Sequence, residues 1–210
     1  MTDILPPTAE GLATAARLLA EGRLVAFPTD TVYGVGVPFS RPDLLTRLVE
    51  LKGRPENKPI PVLVADRAQV AAAGYVLDER AERLTARWWP GPLTLVLPAP
   101  AGGPATGFRV PDHPVALALI DLAGPLWATS ANRSGEPETL GADEVLVAFA
   151  VHGGDLAAVV DGGAAPGGVP SSVVDLTVEP ARLLRAGAIG HEALAEIVEL
   201  EPADQDWAID

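Results

Sequence analysis

The sequence predicts one α/β domain organised around a mixed sheet. Three observations carry that prediction. Short β-prone apolar runs alternate along the chain with longer stretches of helical periodicity. Gly and Pro, 21 of each in 210 residues, fall repeatedly at the junctions between them. A chain of this length with 48% apolar and 20% charged residues is enough for one sizeable core, and its composition nowhere breaks in a way that marks a second. The expected organisation is a domain over residues 1–200 followed by an acidic tail over 201–210. The solvated stretch is expected to begin at Glu199, with Trp207 as an apolar ring that docks on the domain or serves a contact.

Each element has a local reason. Thr8 can cap a helix to about Glu21, with Leu12, Ala15, Ala16, Leu18 and Leu19 on one face and Gly22 as its stop. Arg23 to Phe27 reads as a strand broken by Pro28. Ser40 and Pro42 start a second helix carrying Leu44, Leu45, Leu48 and Val49, which Gly53 and Pro55 end. Ile60 to Val64 and Leu93 to Leu97 read as strands, with a helix between them over Asp78 to Trp88. Further on, the pattern predicts helices over His113 to Leu122, Ala142 to Ala150 and His191 to Val198. It predicts extended chain over Leu126 to Thr129, Ala157 to Val160 and Ser172 to Leu176. The Gly/Ala/Pro stretch Gly162 to Gly168 is a loop that either connects passively or covers a ligand.

Composition narrows the function classes. No apolar run approaches the roughly 18 residues of a membrane span, and the acidic, Pro-bearing N-terminus is unlike a signal peptide, so the expected location is cytoplasmic with no membrane partner. The chain has no Cys, which removes disulfides and thiolate chemistry. His113, His152 and His191 are scattered and form no triad or zinc spacing. A net charge of −13 weighs against a surface that grips nucleic acid throughout, because such binding rests on neutralised phosphates, so any basic site must be local.

Three segments hold polar chemistry on loops. Phe27 to Gly36 follows a strand and sets Thr29, Asp30, Thr31 and Tyr33 between Pro and Gly; read alone, it is equally an ordinary self-capped turn. Lys52, Arg54 and Lys58 place three cations within seven positions at a helix end. The helix macrodipole accounts for Lys52 and Arg54 but not Lys58, and three converging cations suit a triphosphate. Thr129 to Gly135 follows a strand with small hydroxyls and Gly, and reads either as an anion-facing loop or as a capped helix entry; it matches neither the Walker nor the dinucleotide fingerprint. Arg109 and Arg185 each follow a short extended run, and Ser171 with Ser172 precede another. With no nucleophile in view, chemistry here would rest on positioning and electrostatics.

In order, Pro28-Thr29-Asp30-Thr31-Val32-Tyr33-Gly34, Lys52-x-Arg54-Pro55-x-x-Lys58-Pro59, Trp89-Pro90-Gly91-Pro92-Leu93-Thr94, Arg109-Val110-Pro111, Thr129-Ser130-Ala131-Asn132-x-Ser134-Gly135, Ser171-Ser172-Val173-Val174-Asp175 and Arg185-Ala186-Gly187 resemble the YrdC/Sua5/TsaC family over roughly residues 10–198. The resemblance implies a twisted mixed sheet with a concave ligand-binding face. It implies a nucleotidyltransferase that makes L-threonylcarbamoyl-AMP and pyrophosphate from L-threonine, bicarbonate and ATP, with Mg2+ accompanying the ATP, for modification of position 37 of tRNA. It implies that Thr29, Arg109 and Ser171 meet threonine. Lys52, Arg54, Lys58, Ser130, Asn132, Ser134 and Arg185 would meet ATP, with the three cations at 52, 54 and 58 acting electrostatically, no covalent nucleophile and no assured protein ligand for a metal.

It further implies a downstream tRNA threonylcarbamoyl transferase as partner, and at most weak direct contact with tRNA. Val35 and Ser172 stand where the family more often has Leu and Thr, both mild departures, and the ending soon after Arg185 is expected of the short single-domain form. Two other readings keep the same residues: a carbamoyl-adenylate or carbamoyltransferase module, and a non-catalytic module whose concave face holds tRNA or double-stranded RNA.

Overall fold

The computed structural model describes residues 2–53, 59–150 and 155–202. Ten strands form one mixed sheet. In chain order they are β1 (Asp3–Leu5), β2 (Leu24–Phe27), β3 (Gly34–Pro38), β4 (Val62–Leu63), β5 (Leu93–Leu97), β6 (Thr106–Arg109), β7 (Leu126–Ser130), β8 (Leu156–Val160), β9 (Ser172–Asp175) and β10 (Arg182–Arg185). Across the sheet they lie in the order β1-β8-β2-β3-β7-β4-β6-β5-β9-β10. The helices are α1 (Ala9–Ala20), α2 (Leu45–Lys52), α3 (Arg67–Ala72), α4 (Glu79–Trp88), α5 (Pro114–Ala123), α6 (Ala142–Ala150) and α7 (His191–Ala195).

Strand alternation sorts the core. Leu24 and Ala26 of β2 join Leu48, Leu51, Val145 and Phe149 from α2 and α6, whereas Val25 and Phe27 join Leu12, Leu19, Leu119 and Ile120 from α1 and α5. The left half of the sheet is therefore covered on both faces, which is why β2 and β8 read as unbroken apolar runs. A third cluster gathers β4, β6, β5 and β9 against Val70, Ala81, Leu84 and Leu194 from α3, α4 and α7. Within it the buried Phe108 ring meets Tyr75 edge-on at 4.7 Å between centroids.

Caps fix the helix starts. Thr8, Asp66 and Asp78 each accept a hydrogen bond from the third residue on, and His113 accepts one from the Val115 amide through Nδ1 ahead of Pro114. The expected capped start at Ser40 and Pro42 opens instead as a 3-10 turn, Pro42–Leu44, before α2 proper.

Several elements differ from the sequence expectation. Strand β3, Gly-Val-Gly-Val-Pro, is not among the strands the sequence predicts, which places its first residues in the Phe27 to Gly36 turn; a Cβ on Gly36 would come within 2.9 Å of the Trp127 carbonyl oxygen of β7, so the close pairing there requires Gly. The strand expected over Ile60 to Val64 shrinks to β4, since Pro61 has no N–H to give a ladder. Helix α7 ends at Ala195, three residues short, whereas α6 spans Ala142–Ala150 as expected, too far beyond the Thr129 loop for that loop to be its capped entry. Glu199 and Glu201 are not loose: their backbones bracket Ala181, and Glu201 forms a forked pair with Arg182. Trp207 and His152 lie outside the described residues.

Two outcomes follow. Truncation of Phe108 to Ala should lower unfolding free energy by about 3–5 kcal/mol in urea melts, the range for a buried aromatic. Burial lowers the His113 pKa below its ordinary 6.5, against the pull of Asp30 and Asp112. The unfolded chain then binds more protons than the native one around that value, so native stability falls as pH drops through about 6.5. His113→Asn, which keeps a capping acceptor, should flatten the stability profile between pH 7.5 and 5.5.

Candidate functional site

A cleft enclosing about 660 Å³, its open mouth included, runs across the strand ends on one face of the sheet. Residues Pro59, Pro61 and Leu63, spaced two apart, present one side of the β4 segment as its floor. Thr29, Thr31, Val32 and Gly34 form one wall, Thr129 and Ser130 from β7 another. Thr94, Arg109, Pro170, Ser171, Arg185 and Glu138 complete the rim.

Arg109, at the end of β6, is 6% exposed. Its Nε donates to the Gly91 carbonyl at 3.0 Å, Nη1 to the Thr31 hydroxyl at 3.0 Å, and Nη2 to Asp30 Oδ1 at 2.6 Å. Asp30 Oδ1 also accepts from the Asp112 amide. Guanidinium has five N–H donors, so two remain for whatever enters the cleft. Burial lowers the Arg109 pKa, Asp30 opposes this, and Arg185 lowers it further. Two cations that sense each other across a cleft favour an anion between them.

The 27–36 turn divides its labour. Thr29 does self-cap: its hydroxyl donates to the Val32 carbonyl at 2.7 Å and receives the Thr31 and Val32 amides. That commits its single proton, so in the 3.0 Å contact between hydroxyls Thr31 is the donor. The order is then Arg109 to Thr31 to Thr29 to Val32, a one-way relay that fixes the guanidinium. Asp30 does not cap its own backbone; it pairs with Arg109. Tyr33 is fully buried and donates to the Gly163 carbonyl at 2.7 Å. The Gly162 to Gly168 loop is thus docked, also through Gly168 N to Thr31 O and Ala165 N to Leu140 O. A Cβ on Gly167 would reach the Asp30 carbonyl at 2.7 Å, so this loop braces the turn from behind.

Lys52 reaches sideways from the last turn of α2. It is 5% exposed, with Nζ donating to the Ser130 carbonyl at 2.9 Å, Ser130 Oγ at 3.0 Å and Asn132 Oδ1 at 2.7 Å. Asn132 in turn donates to the Glu136 carbonyl. The 129–135 loop is therefore tied to α2 and does not cap α6. Ser130 lines the cleft; Lys52 and Asn132 stand behind it. Ser134 is exposed away from the cleft, its amide bonded to the Lys52 carbonyl. Arg54 and Lys58 lie outside the described residues.

On the far side, Ser171 Oγ contacts Thr94 Oγ1 at 3.0 Å and accepts from Arg185 Nη2 at 3.0 Å, while its carbonyl accepts from Arg185 Nε. Arg185 stands at the exposed rim, yet the walls around it desolvate the guanidinium enough to lower its pKa, with Glu138 opposing. Ser172 is wholly internal: it donates to the Ile189 carbonyl and accepts from the Gly187 and Ile189 amides. A Cβ on Gly187 would lie 2.3 Å from the Pro170 carbonyl oxygen, which accounts for Gly after Arg185-Ala186.

Sequence reasoning thus found Thr29, Arg109, Ser130, Ser171 and Arg185, which converge on one cleft. It gave no role to Thr31, Thr94, Pro61 or Glu138; the first two were detectable as hydroxyls inside quoted motifs, whereas Glu138 had no signal. Asp30→Ala should destabilise the fold by about 3–5 kcal/mol by stranding a buried cation. Combining it with Arg109→Met should recover much of that loss in denaturant melts.

Comparison with known proteins gives a consistent result. A family model for Sua5, YciO and YrdC proteins, described as telomere recombination, matches residues 17–187. The threonylcarbamoyl-AMP synthase of Bacillus subtilis is 39% identical over 208 residues, 94% of this chain and 59% of that protein, so the chain spans about three fifths of that relative. A putative threonylcarbamoyl-AMP synthase of Mycobacterium tuberculosis is 34% identical over 201 residues, 92% of this chain and 91% of that one. The crystal structure of Pyrococcus abyssi Sua5 complexed with L-threonine superposes with a TM-score of 0.87 at 35% identity, covering 100% of this chain and 65% of that one. Matched over most of its length by the family model and by these relatives, this chain belongs to the Sua5/YciO/YrdC family.

Proposed function

We propose that this protein is an L-threonylcarbamoyl-AMP synthase, joining L-threonine, bicarbonate and ATP with release of pyrophosphate, and so supplies an activated threonylcarbamoyl group for tRNA modification. The observation that carries the reading is the buried, cleft-lining Arg109 guanidinium, held by three hydrogen bonds that leave two of its five N–H groups for a ligand. A planar fork so fixed suits a carboxylate, and threonine offers one. The names of the Bacillus and Mycobacterium relatives and the threonine complex of the Pyrococcus protein support the same substrate class.

The chemistry asks little of side chains beyond orientation. The threonine amine and bicarbonate give a carbamate and water. A carbamate oxygen then attacks the α-phosphorus of ATP, and pyrophosphate leaves. Arg109 holds the amino acid while Thr29 and Thr31 hold Arg109. Arg185, with three N–H groups beyond its two bonds to Ser171, and Ser130, held by Lys52, line the path of the nucleotide. Lys52 would act on the phosphates through the Ser130 loop, together with Arg54 and Lys58.

Magnesium accompanying ATP would neutralise charge on the triphosphate. Among the described residues no group of three or more His, Asp or Glu is placed to hold a metal, and Asp30 is committed to Arg109. That donor set fits an ion carried chiefly by phosphate oxygens. A tRNA threonylcarbamoyl transferase would consume the product, and the place of action would be the cytoplasm.

Pyrophosphate release should require ATP, bicarbonate and L-threonine together. Release that ignores threonine and needs carbamoyl phosphate would overturn the assignment. Arg109→Ala and Lys52→Ala should each lower turnover about 10²–10³-fold, the scale for removing one fixed electrostatic contact, with folding checked by circular dichroism.

A further inference from the structure

Glu138 lines the cleft, and the proposed reaction leaves it without a role. It lies in the segment between β7 and α6, where the carbonyl of the adjacent Thr139 accepts from the Tyr33 amide at 2.9 Å. This bond lays Glu138 against the 29–33 turn, the wall whose Thr31 and Asp30 grip Arg109. Its Oε2 is fully buried and meets no hydrogen-bond donor among the described residues.

A buried carboxylate oxygen without a donor is costly, and native proteins carry few of them, so this one calls for a partner. Arg185 feels the Glu138 charge, yet the two hydrogen bonds its guanidinium makes both go to Ser171, and none of its N–H groups reaches the buried Glu138 oxygen. Because the residue itself lines the cleft and is only half-buried, a turn of its carboxyl group brings the unmet oxygen to the cleft surface, where a ligand supplies the missing donor.

Resting on the reading of this cleft as an amino-acid site, we propose that Glu138 accepts the ammonium group of the bound amino acid while Arg109 takes its carboxylate. Opposite charges on one cleft wall match a zwitterion. The same molecule with hydrogen in place of the amine satisfies Arg109 and leaves Glu138 still unpaired, so the pair selects α-amino acids by the group that becomes the carbamate nitrogen. Glu138 thereby orients the nitrogen, which becomes the reacting amine once the ammonium has released one proton to solvent. Its contribution lies in affinity and alignment, and it falls on KM for threonine more than on kcat.

The test is calorimetric titration of the full chain with L-threonine and with 3-hydroxybutanoate, which has hydrogen in place of the amine. Wild type, Glu138→Gln and Glu138→Asp are compared. Glu138→Gln should weaken threonine binding about tenfold or more, the scale for losing a charge-assisted hydrogen bond, and leave 3-hydroxybutanoate unchanged. Its ligand-free melting temperature should hold or rise, because no partner is lost, and Glu138→Asp should recover part of the threonine preference. Equal threonine affinity in wild type and Glu138→Gln would overturn the proposal. So would equal weakening of both ligands with a lowered melting temperature, which marks a structural role. Wild type that binds 3-hydroxybutanoate as well as threonine also excludes it. If wild type binds no threonine, the amino-acid reading falls first and this inference with it.

Discussion

The cleft is organised around one buried cation. A guanidinium taken from water carries a desolvation penalty of several kcal/mol, and that penalty is offset only when its donors and its charge are met in good geometry. Arg109 achieves this by recruiting three separate parts of the chain. The Gly91 carbonyl comes from the turn before β5, Thr31 and Asp30 come from the turn between β2 and β3, and the Asp112 amide shares the Asp30 carboxylate. These contacts join the β2–β3 half of the sheet to the β5–β6 half across the short β4. An arrangement that needs all of them at once tolerates few alternatives, which gives the cleft wall its definition before any ligand arrives.

The same logic explains why a loop so rich in Gly is not slack. The Gly162 to Gly168 stretch has little side chain with which to hold itself, only Ala165 entering the core, yet Tyr33, Thr31 and Leu140 each bond its backbone. Absence of Cβ at Gly162 and Gly167 lets that backbone lie on Pro28 and Thr31 closer than any other residue allows. The loop acts as a brace beneath the turn. Ser172 does comparable work on the opposite rim, where one hydroxyl gathers Gly187 and Ile189 and so seats Arg185 over Ser171.

How much of this was legible depends on where the determinants lie. Helices α1, α4 and α5 were readable because cap, periodicity and stop are local in sequence, and β2, β5 and β8 because a strand buried on both faces is an apolar run. Strand β3 was hidden, since its glycines answer to β7, almost a hundred residues away. Motif residues were legible as a set but not in their roles. Lys52 looked like a dipole-matched cation at a helix end and is a buried tie to Ser130 and Asn132. Thr29 read equally as a ligand contact or a self-capped turn; its hydroxyl makes the turn bonds while the residue lines the cleft. For Lys52, the partners that decide the role are remote in sequence, and only the folded chain brings them near.

Glu138 marks the limit of that approach from the other side. It sits in an ordinary loop sequence, flanked by Pro137 and Thr139, and nothing about its neighbours distinguishes it from a solvated acid. Its distinction is wholly positional: a cleft-lining carboxylate, beside the turn that fixes Arg109, with one buried oxygen that no N–H of Arg185 or of any other described residue meets. Arg109 and Arg185 alone would make the cleft a site for anions of any kind. A single negative group among them changes the class of ligand that is complementary, from an anion to a dipolar molecule whose positive end is the nucleophile-to-be. Selectivity for an amino acid over other carboxylates therefore need not come from shape, which discriminates weakly at the scale of one small group. It follows from leaving one polar atom unsatisfied until the right ligand satisfies it.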